Sequence, residues 1–542
     1  MANILKAISS RRIILVLAGI LGLLGGMAVI YATSNGPWGY SDSVVYLVSA
    51  RNLLRGLGLG YFFPSGKFYI VTTSPPLYPL VLAGIGLLRV DLIDAARWLN
   101  IFLFVATIYS SAAVFIAFGS SAGLAILASL LVGIFPAMLM MFSSSMSEPV
   151  FIFLFIWSGF CLLWYLKYKN PRWFILSALF AGLLPITRYI GIAVTLTAVV
   201  CVFLFSPGTW KIRLKKTILY GLLAGLPIFL WIAFVYFGVD RSVAGRGLEI
   251  NGAALPVLFK DFRALFLDTV WKWIPFRKYP SDLPYWLRYV IIGVTVIAVT
   301  VVTWLARRRV HKNSLPLKPG SEFQLFTFFG LTTVAFVIVL ALTYIFLLPT
   351  PDVDDRILLP LYAGTVLCLL GAFACWQRAW FHNGKGWLRV LPCLIAMLFI
   401  YWYYPQAVST LELYHTGEGI TAFYWRNSET MSAVRDLPDD LPIVSNNAAA
   451  ILLWADRPAY ELMEVLPPEF IEQSTPYGSD TSDKVQAAFR QQGAALVIFE
   501  DQFRSQLERA FGEKGLARLD TFFSGLLISG QYADGILYYY PK

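Results

Sequence analysis

Apolar runs recur along this chain at lengths that no soluble core requires. About twelve segments stand out, at roughly 13–32, 76–89, 98–118, 122–142, 149–166, 173–187, 190–205, 217–238, 287–305, 324–348, 357–376 and 387–404. Runs of about 18 or more apolar residues cross a bilayer as helices. A helix meets this demand because it satisfies its backbone groups internally. Composition agrees with the pattern. The chain has 542 residues, 58% hydrophobic and only 14% charged, where soluble domains carry about 25% charged residues.

The net charge of +11 does not point to nucleic acid. Much of the basic excess lies in short loops between apolar runs, where Lys and Arg mark the cytoplasmic side. The five cysteines, Cys161, Cys201, Cys368, Cys375 and Cys393, lie in apolar runs or at their ends. They lack metal-ligand spacing and read as small buried hydrophobes. The three histidines, His311, His382 and His415, are scattered. Lys6, Arg11 and Arg12 precede the first run. That run is too long for a signal-peptide core, so it reads as an uncleaved first span with its N-terminus inside.

Parity decides the topology. If all twelve runs crossed, the basic loops 165–173, 206–216 and 305–320 would face outward, against the charge rule. One non-crossing segment repairs all three. The segment 76–89 is short, begins at a Pro-Pro pair and contains Pro79, so it reads as a re-entrant or surface-lying helix. About eleven spans remain. The loops 33–96, 143–148, 239–285 and 349–356 and the turn at Arg188 then share the outer side with the C-terminus. After about residue 405 the composition shifts. PIVSNNAAAILLWADRPAYEL reads as strand, turn and helix, DKVQAAFRQQGAALVIFEDQ as helix then strand, and GILYYY as a closing strand. The expectation is a mainly α polytopic domain over 1–405 and a small extracytoplasmic α/β domain over 406–542.

The residues with chemical potential cluster at the outer ends of spans. Asp42 opens the helix SDSVVYLVSARNLLRG, with Tyr46 one turn on and Arg51 and Arg55 beyond. It is either a general base or part of a helix cap. Glu148, in SSSMSEPVF, starts another span. Parity puts both acids on one side, where they could orient a sugar, hold a cation or divide acid and base roles. Arg188 and Arg356 sit at the lips of spans. Their planar guanidinium suits phosphate, although snorkelling explains either alone. Asp352, Asp354 and Asp355 precede Arg356 as a solvated turn or as its partners. The loop 239–285 interleaves basic residues, Arg246 among them, with aromatics. Such a segment lies in the headgroup plane, as an anionic-lipid site or a generic anchor. No Walker loop, HExxH or GxSxG occurs. Gly56, Gly58 and Gly60 follow a helix and read as a stop and turn.

SDSVVYLVSARNLLRG, SPPLYPLVLAG, SEP before a span and DDRILLPLY together resemble the GT-C superfamily of polytopic membrane glycosyltransferases, which includes the protein O-mannosyltransferases and aminoarabinose transferases. The resemblance covers most of the chain. It implies a transferase that moves a sugar from a polyprenyl-phosphate donor to an extracytoplasmic glycan, lipid or protein acceptor. Catalytic acids fall on Asp42 and Glu148, donor phosphate binding on Arg356 and Arg188, and substrate contacts on Tyr46, Arg51 and Arg246. A divalent cation at Asp42 and Glu148 is the one cofactor it leaves open. Two features depart from the family pattern. Ser43 follows Asp42 where many relatives have a second acid, and the second site is Glu rather than the commoner Asp. A transporter or flippase of lipid-linked sugars is the rival reading, although such proteins place acids near mid-membrane. A non-catalytic envelope assembly protein is the third.

Overall fold

The computed structural model describes residues 2–118, 120–238, 247–248, 255–275, 283–312, 322–348, 353–380, 390–462, 493–499 and 526–540. Helix α1 (Ala2–Ala32) is followed by α2 (Ser41–Leu54), the hairpin strands β1 (Gly60–Phe62) and β2 (Phe68–Ile70), and α3 (Leu77–Gly86). Next come α4 (Leu92–Ala117), α5 (Ala122–Ile134), α6 (Pro136–Phe142), α7 (Glu148–Tyr168) and α8 (Pro171–Thr187). A short 3₁₀ turn leads into α9 (Ile192–Phe205), then α10 (Trp210–Gly238), β3 (Gly247–Leu248), α11 (Leu255–Trp271) and α12 (Tyr285–Lys312). The membrane part closes with α13 (Glu322–Phe346), β4 (Leu347–Leu348), α14 (Leu359–Trp380) and α15 (Leu391–His415). The remainder holds α16 (Glu429–Arg435), β5 (Ile443–Ser445), α17 (Ala448–Trp454), β6 (Tyr460–Glu461), β7 (Ala494–Phe499), β8 (Leu527–Tyr532) and β9 (Gly535–Tyr540).

Among the described residues, eight helices are long and apolar enough to cross a bilayer, and a ninth span exists if α5 and α6 count as one. That pair bends by 62° at Phe135, just before Pro136. Proline cannot donate the helical hydrogen bond, so the break falls there. The shorter apolar helices are Leu77–Gly86, Pro171–Thr187 and Tyr189–Phe205. The first of these is the segment that parity excluded from crossing.

The chain divides into two compact units: residues 1–34, 72–81 and 95–416, and residues 35–71, 82–94 and 417–542. In the first unit the helices pack as membrane helices do, with small residues at close crossings. A Cβ on Gly182 of α8 would lie 2.7 Å from the carbonyl oxygen of Ala224 on α10, so the crossing admits glycine alone. Helices α7 and α8 form a hairpin whose turn is set locally. Lys169 adopts the left-handed region at φ 59°, and the Asn170 side chain accepts from the Arg172 N–H at 3.0 Å. Pro171 then opens α8, as proline does at a first helical turn.

The second unit is built on a five-stranded sheet in the order β6-β5-β7-β9-β8. Strands β6, β5 and β7 run parallel, with Val444 opposite both Tyr460 and Leu496; β9 and β8 are antiparallel additions. AALVIF of β7 is buried along its whole length, the pattern of a central strand covered on both faces. Trp425, Met431, Val434, Ile443, Ile451 and Val497 form its core. The expected boundary at 405 moves to 416. Helix α15 continues through Pro405 to His415, and the first loop between spans joins the C-terminal residues in one unit. The helix expected at DKVQAAFRQQ lies outside the described residues.

Candidate active site

Glu148 begins α7 and is completely buried. Its carboxylate sits at a helix N-terminus, where the dipole favours negative charge. The approach to it is a buried polar turn. Ser143, Ser144, Ser145 and Ser147 are all inaccessible to solvent or nearly so, and Asn100 Nδ2 on α4 donates to the Ser144 carbonyl at 2.5 Å. A buried charge needs a partner, and Arg188 supplies it. Arg188 closes the C-terminal end of α8, and its Nη1 donates to Glu148 Oε1. The same nitrogen lies 3.5 Å from Ser147 Oγ.

Arg356 approaches from the turn before α14. Its Nε is 3.9 Å from Glu148 Oε1 and 3.8 Å from Asp354 Oδ2. Both arginine side chains are only 18% exposed, whereas Asp354 is 48% exposed. The buried part of the cluster therefore holds two guanidiniums and one carboxylate. Beside it, burial raises the Asp355 carboxyl above its ordinary value, and Lys272, 3.4 Å away, opposes that shift. Tyr189, next to Arg188, donates to the Thr72 carbonyl at 2.7 Å and accepts from Trp231 Nε1 at 2.9 Å. It ties α10 to the segment that leads into α3.

Asp42 lies in the other unit. Helix α2 has Tyr40 as its N-cap, and the Ser43 hydroxyl accepts from the Tyr40 N–H at 3.0 Å. The reciprocal cap uses Ser43, so Asp42 is the second residue of the first turn and half-buried. Tyr46 is buried. Arg51, expected at the substrate, is engaged within the protein. Its Nη1 and Nη2 donate to the carbonyls of Leu453 and Leu452, each at 2.8 Å, and Nη2 pairs with Asp456 at 2.7 Å. The physical reason is the end of α17, whose last carbonyls lack intrahelical partners and attract a cation. Burial lowers the pKa of Arg51, and Asp456 works against that shift. Arg246 lies outside the described residues.

Sequence reasoning paired Glu148 with Asp42 and set Arg356 and Arg188 at the donor phosphate. The geometry brings Glu148, Arg188 and Arg356 together. The serine run before Glu148 announces a polar turn between two apolar runs, but nothing in the sequence says which span ends meet there. Ser147, Tyr189 and Trp231 were missed, because hydroxyls and indoles next to spans look like ordinary interface residues. Among the described residues no group of three or more His, Cys, Asp or Glu converges as a metal site. Glu148 is surrounded by serines and arginines, and a cation there would compete with a guanidinium. Within its own unit the donor set does not fit a divalent ion.

No family model and no curated sequence matches the chain. Solved structures do. Apo ArnT from Cupriavidus metallidurans aligns with 13% identity and a TM-score of 0.45 over 97% of each chain. Arabinofuranosyltransferase AftD from Mycobacteria aligns with 15% identity and a TM-score of 0.47, covering 96% of this chain and 41% of that one. The oligosaccharyltransferase AglB from Archaeoglobus fulgidus, in complex with an inhibitory peptide and a dolichol-phosphate, aligns with 12% identity and a TM-score of 0.51. That match covers 94% of this chain and 72% of AglB. At that TM-score the chain shares the overall fold of AglB.

Proposed function

We propose that the protein is a membrane glycosyltransferase that moves a sugar from a polyprenyl-phosphate donor to a hydroxyl or amine of an acceptor outside the cytoplasmic membrane. One observation carries the reading: two mostly buried guanidiniums meet at Glu148, Arg188 donating to its carboxylate and Arg356 Nε lying 3.9 Å from it and 3.8 Å from Asp354. A phosphate oxygen is the natural further ligand of such a pair, because charge-assisted planar forks bind phosphate well. The dolichol-phosphate held by AglB supports the same donor class. Burial of an isoprenoid tail would add about 0.8 kcal/mol per CH₂.

In the proposed reaction the acceptor oxygen or nitrogen attacks the anomeric carbon. The bond from that carbon to the phosphate oxygen breaks, and the phosphate leaves with the electron pair. Arg356 and Arg188 stabilise the charge that develops on it. Glu148, the second expected catalytic acid, serves by holding the Arg188 guanidinium in place. Asp42 is proposed, on the sequence resemblance alone, to take the proton from the acceptor. Its station in the first turn of α2, half-buried, is compatible with that role.

The test uses the purified protein in liposomes, a radiolabelled undecaprenyl-phosphate hexose and an envelope extract as acceptor. The expected result is release of label from the lipid phase, reduced at least ~100-fold in Asp42→Asn, since a general base contributes about 10²–10⁴. Failure to transfer from any of a panel of polyprenyl-phosphate sugars overturns the proposal. Near wild-type turnover by Asp42→Asn removes that residue from the base role.

A further inference from the structure

The C-terminal residues grip the first loop at both ends of α2. At the C-terminal end, Arg51 binds the carbonyls of Leu452 and Leu453 at 2.8 Å. Asp456 then bridges Arg51 at 2.7 Å and Arg55 at 2.5 Å. At the N-terminal end, the Phe423 N–H donates to the Asn35 carbonyl at 2.9 Å, and the Thr421 hydroxyl donates to the Pro37 carbonyl at 2.6 Å. Gly36, at φ +104°, lies so close that a Cβ would stand 2.8 Å from the Phe423 nitrogen. A third tie is made by Arg426, which pairs with Asp91 at 3.2 Å and Asp94 at 3.1 Å.

Asp456 is the informative residue. It follows the end of α17 in the left-handed region, at φ 60°. Glycine is the usual occupant of that position, and aspartate is among the few other residues that adopt it readily. Two arginines of α2 hold it. The carboxylate therefore serves the bridge rather than the helix cap.

We propose that Asp456 is a positioning residue, through which the C-terminal domain sets the orientation of α2 and hence of Asp42. This inference rests on the proposed transferase reading for its activity consequence only. Asp42 stands 13 positions before Arg55 on one rigid helix, about 20 Å away at 1.5 Å per residue. A small rotation at the bridge is magnified at that distance.

Asp456→Gly separates the two roles. Glycine suits the left-handed cap and so preserves folding, but it deletes the bridge. The full-length protein in liposomes carries a spin label at Ser41→Cys, at the start of α2, with Cys393 replaced by Ser. Asp456→Gly is expected to keep the fold with some loss of thermal stability, since Arg51 retains its bonds to the Leu452 and Leu453 carbonyls, to broaden the label's distribution, and to lower kcat about tenfold or more with the KM for a radiolabelled undecaprenyl-phosphate hexose unchanged. Linking Arg55→Cys to Asp456→Cys with a short bis-maleimide is expected to restore both label order and kcat. An ordered label in Asp456→Gly overturns the positioning role whatever the activity, and so does unchanged kcat in an active protein. If the wild type transfers no sugar while the label still responds to Asp456, the transferase reading fails and the positioning of α2 stands.

Discussion

Removing the charge of Glu148 strands Arg188. Breaking a buried ion pair by deleting one partner costs about 3–5 kcal/mol. Arg188 keeps 18% of its surface in water, so Glu148→Gln should sit near the lower end, at about 3 kcal/mol. Chemical unfolding in detergent measures it, and Glu148→Asp serves as the charge-preserving control. An unchanged midpoint for Glu148→Gln would mean that the pair contributes nothing to stability. Arg356 makes a different kind of claim. Arg356→Lys keeps the charge but loses the fork, so the donor KM should rise on the order of tenfold, and kcat should fall as well because the fork also meets the charge that develops on the leaving phosphate. A donor KM equal to wild type would remove Arg356 from the phosphate site. Both residues were visible in the sequence as charges at the ends of apolar runs. Their convergence was not, because Glu148, Arg188 and Arg356 come from α7, the end of α8 and the turn before α14, and sequence spacing does not report which span ends meet.

Among the elements, apolar length was the legible quantity. The runs at 149–166 and 357–376 return as Glu148–Tyr168 and Leu359–Trp380, and the short Pro-bounded run at 76–89 returns as the ten-residue α3. Polar helical turns were less legible. Helix α4 begins at Leu92, six residues before its apolar run, and α15 runs ten residues past Pro405, because helix ends outside the hydrocarbon layer need no hydropathy. The loop 239–285 contains the seventeen-residue α11, which buries Phe262, Leu267 and Trp271. In the sheet, the turn between β8 and β9 yields a pH prediction. Burial alone would raise the Asp534 carboxyl, but hydrogen bonds from the Ser428 and Thr430 hydroxyls and the Thr430 N–H outweigh it and leave the pKa lowered. A depressed folded-state value means that the stabilisation is present above the unfolded carboxyl range, near pH 4. It is lost as pH falls through the lower folded value. Hydrogen exchange of β8 and β9 should therefore accelerate below about pH 4 in the wild type. Asp534→Asn should exchange faster at neutral pH and show a flatter acid response. An identical acid response in the two proteins would exclude Asp534 as its source.

For the whole molecule, the basic loops propose an orientation. Lys211, Arg213, Lys215 and Lys216 occupy the 206–216 loop, which the positive-inside rule assigns to the cytoplasm. The same parity puts the C-terminal unit outside. An impermeant thiol reagent on intact cells tests this in a Cys393→Ser background, since Cys393 is exposed. Lys215→Cys should stay unlabelled until the cells are opened, whereas Glu418→Cys should label at once. The reverse pattern would overturn the topology and, with it, the extracytoplasmic acceptor. Hydropathy gives about eleven spans; among the described residues eight helices, or nine with the bent pair, are long enough to cross, and the expected runs 173–187 and 190–205 return as the shorter apolar helices Pro171–Thr187 and Tyr189–Phe205. The joining of the first loop to the C-terminal residues could not be inferred from hydropathy, because it rests on polar contacts between segments about 400 positions apart.

That separation sets a clock during biosynthesis. A ribosome adds about 5–20 residues per second, so Arg51 and Arg55 wait roughly 20–80 seconds for the segment that carries Asp456. Throughout that interval the nascent first loop lacks the partner that organises it. A premature stop between His415, where the last spanning helix ends, and Asp456 would leave a chain with its spans made and its first loop still unmatched, a natural target for membrane quality-control proteases.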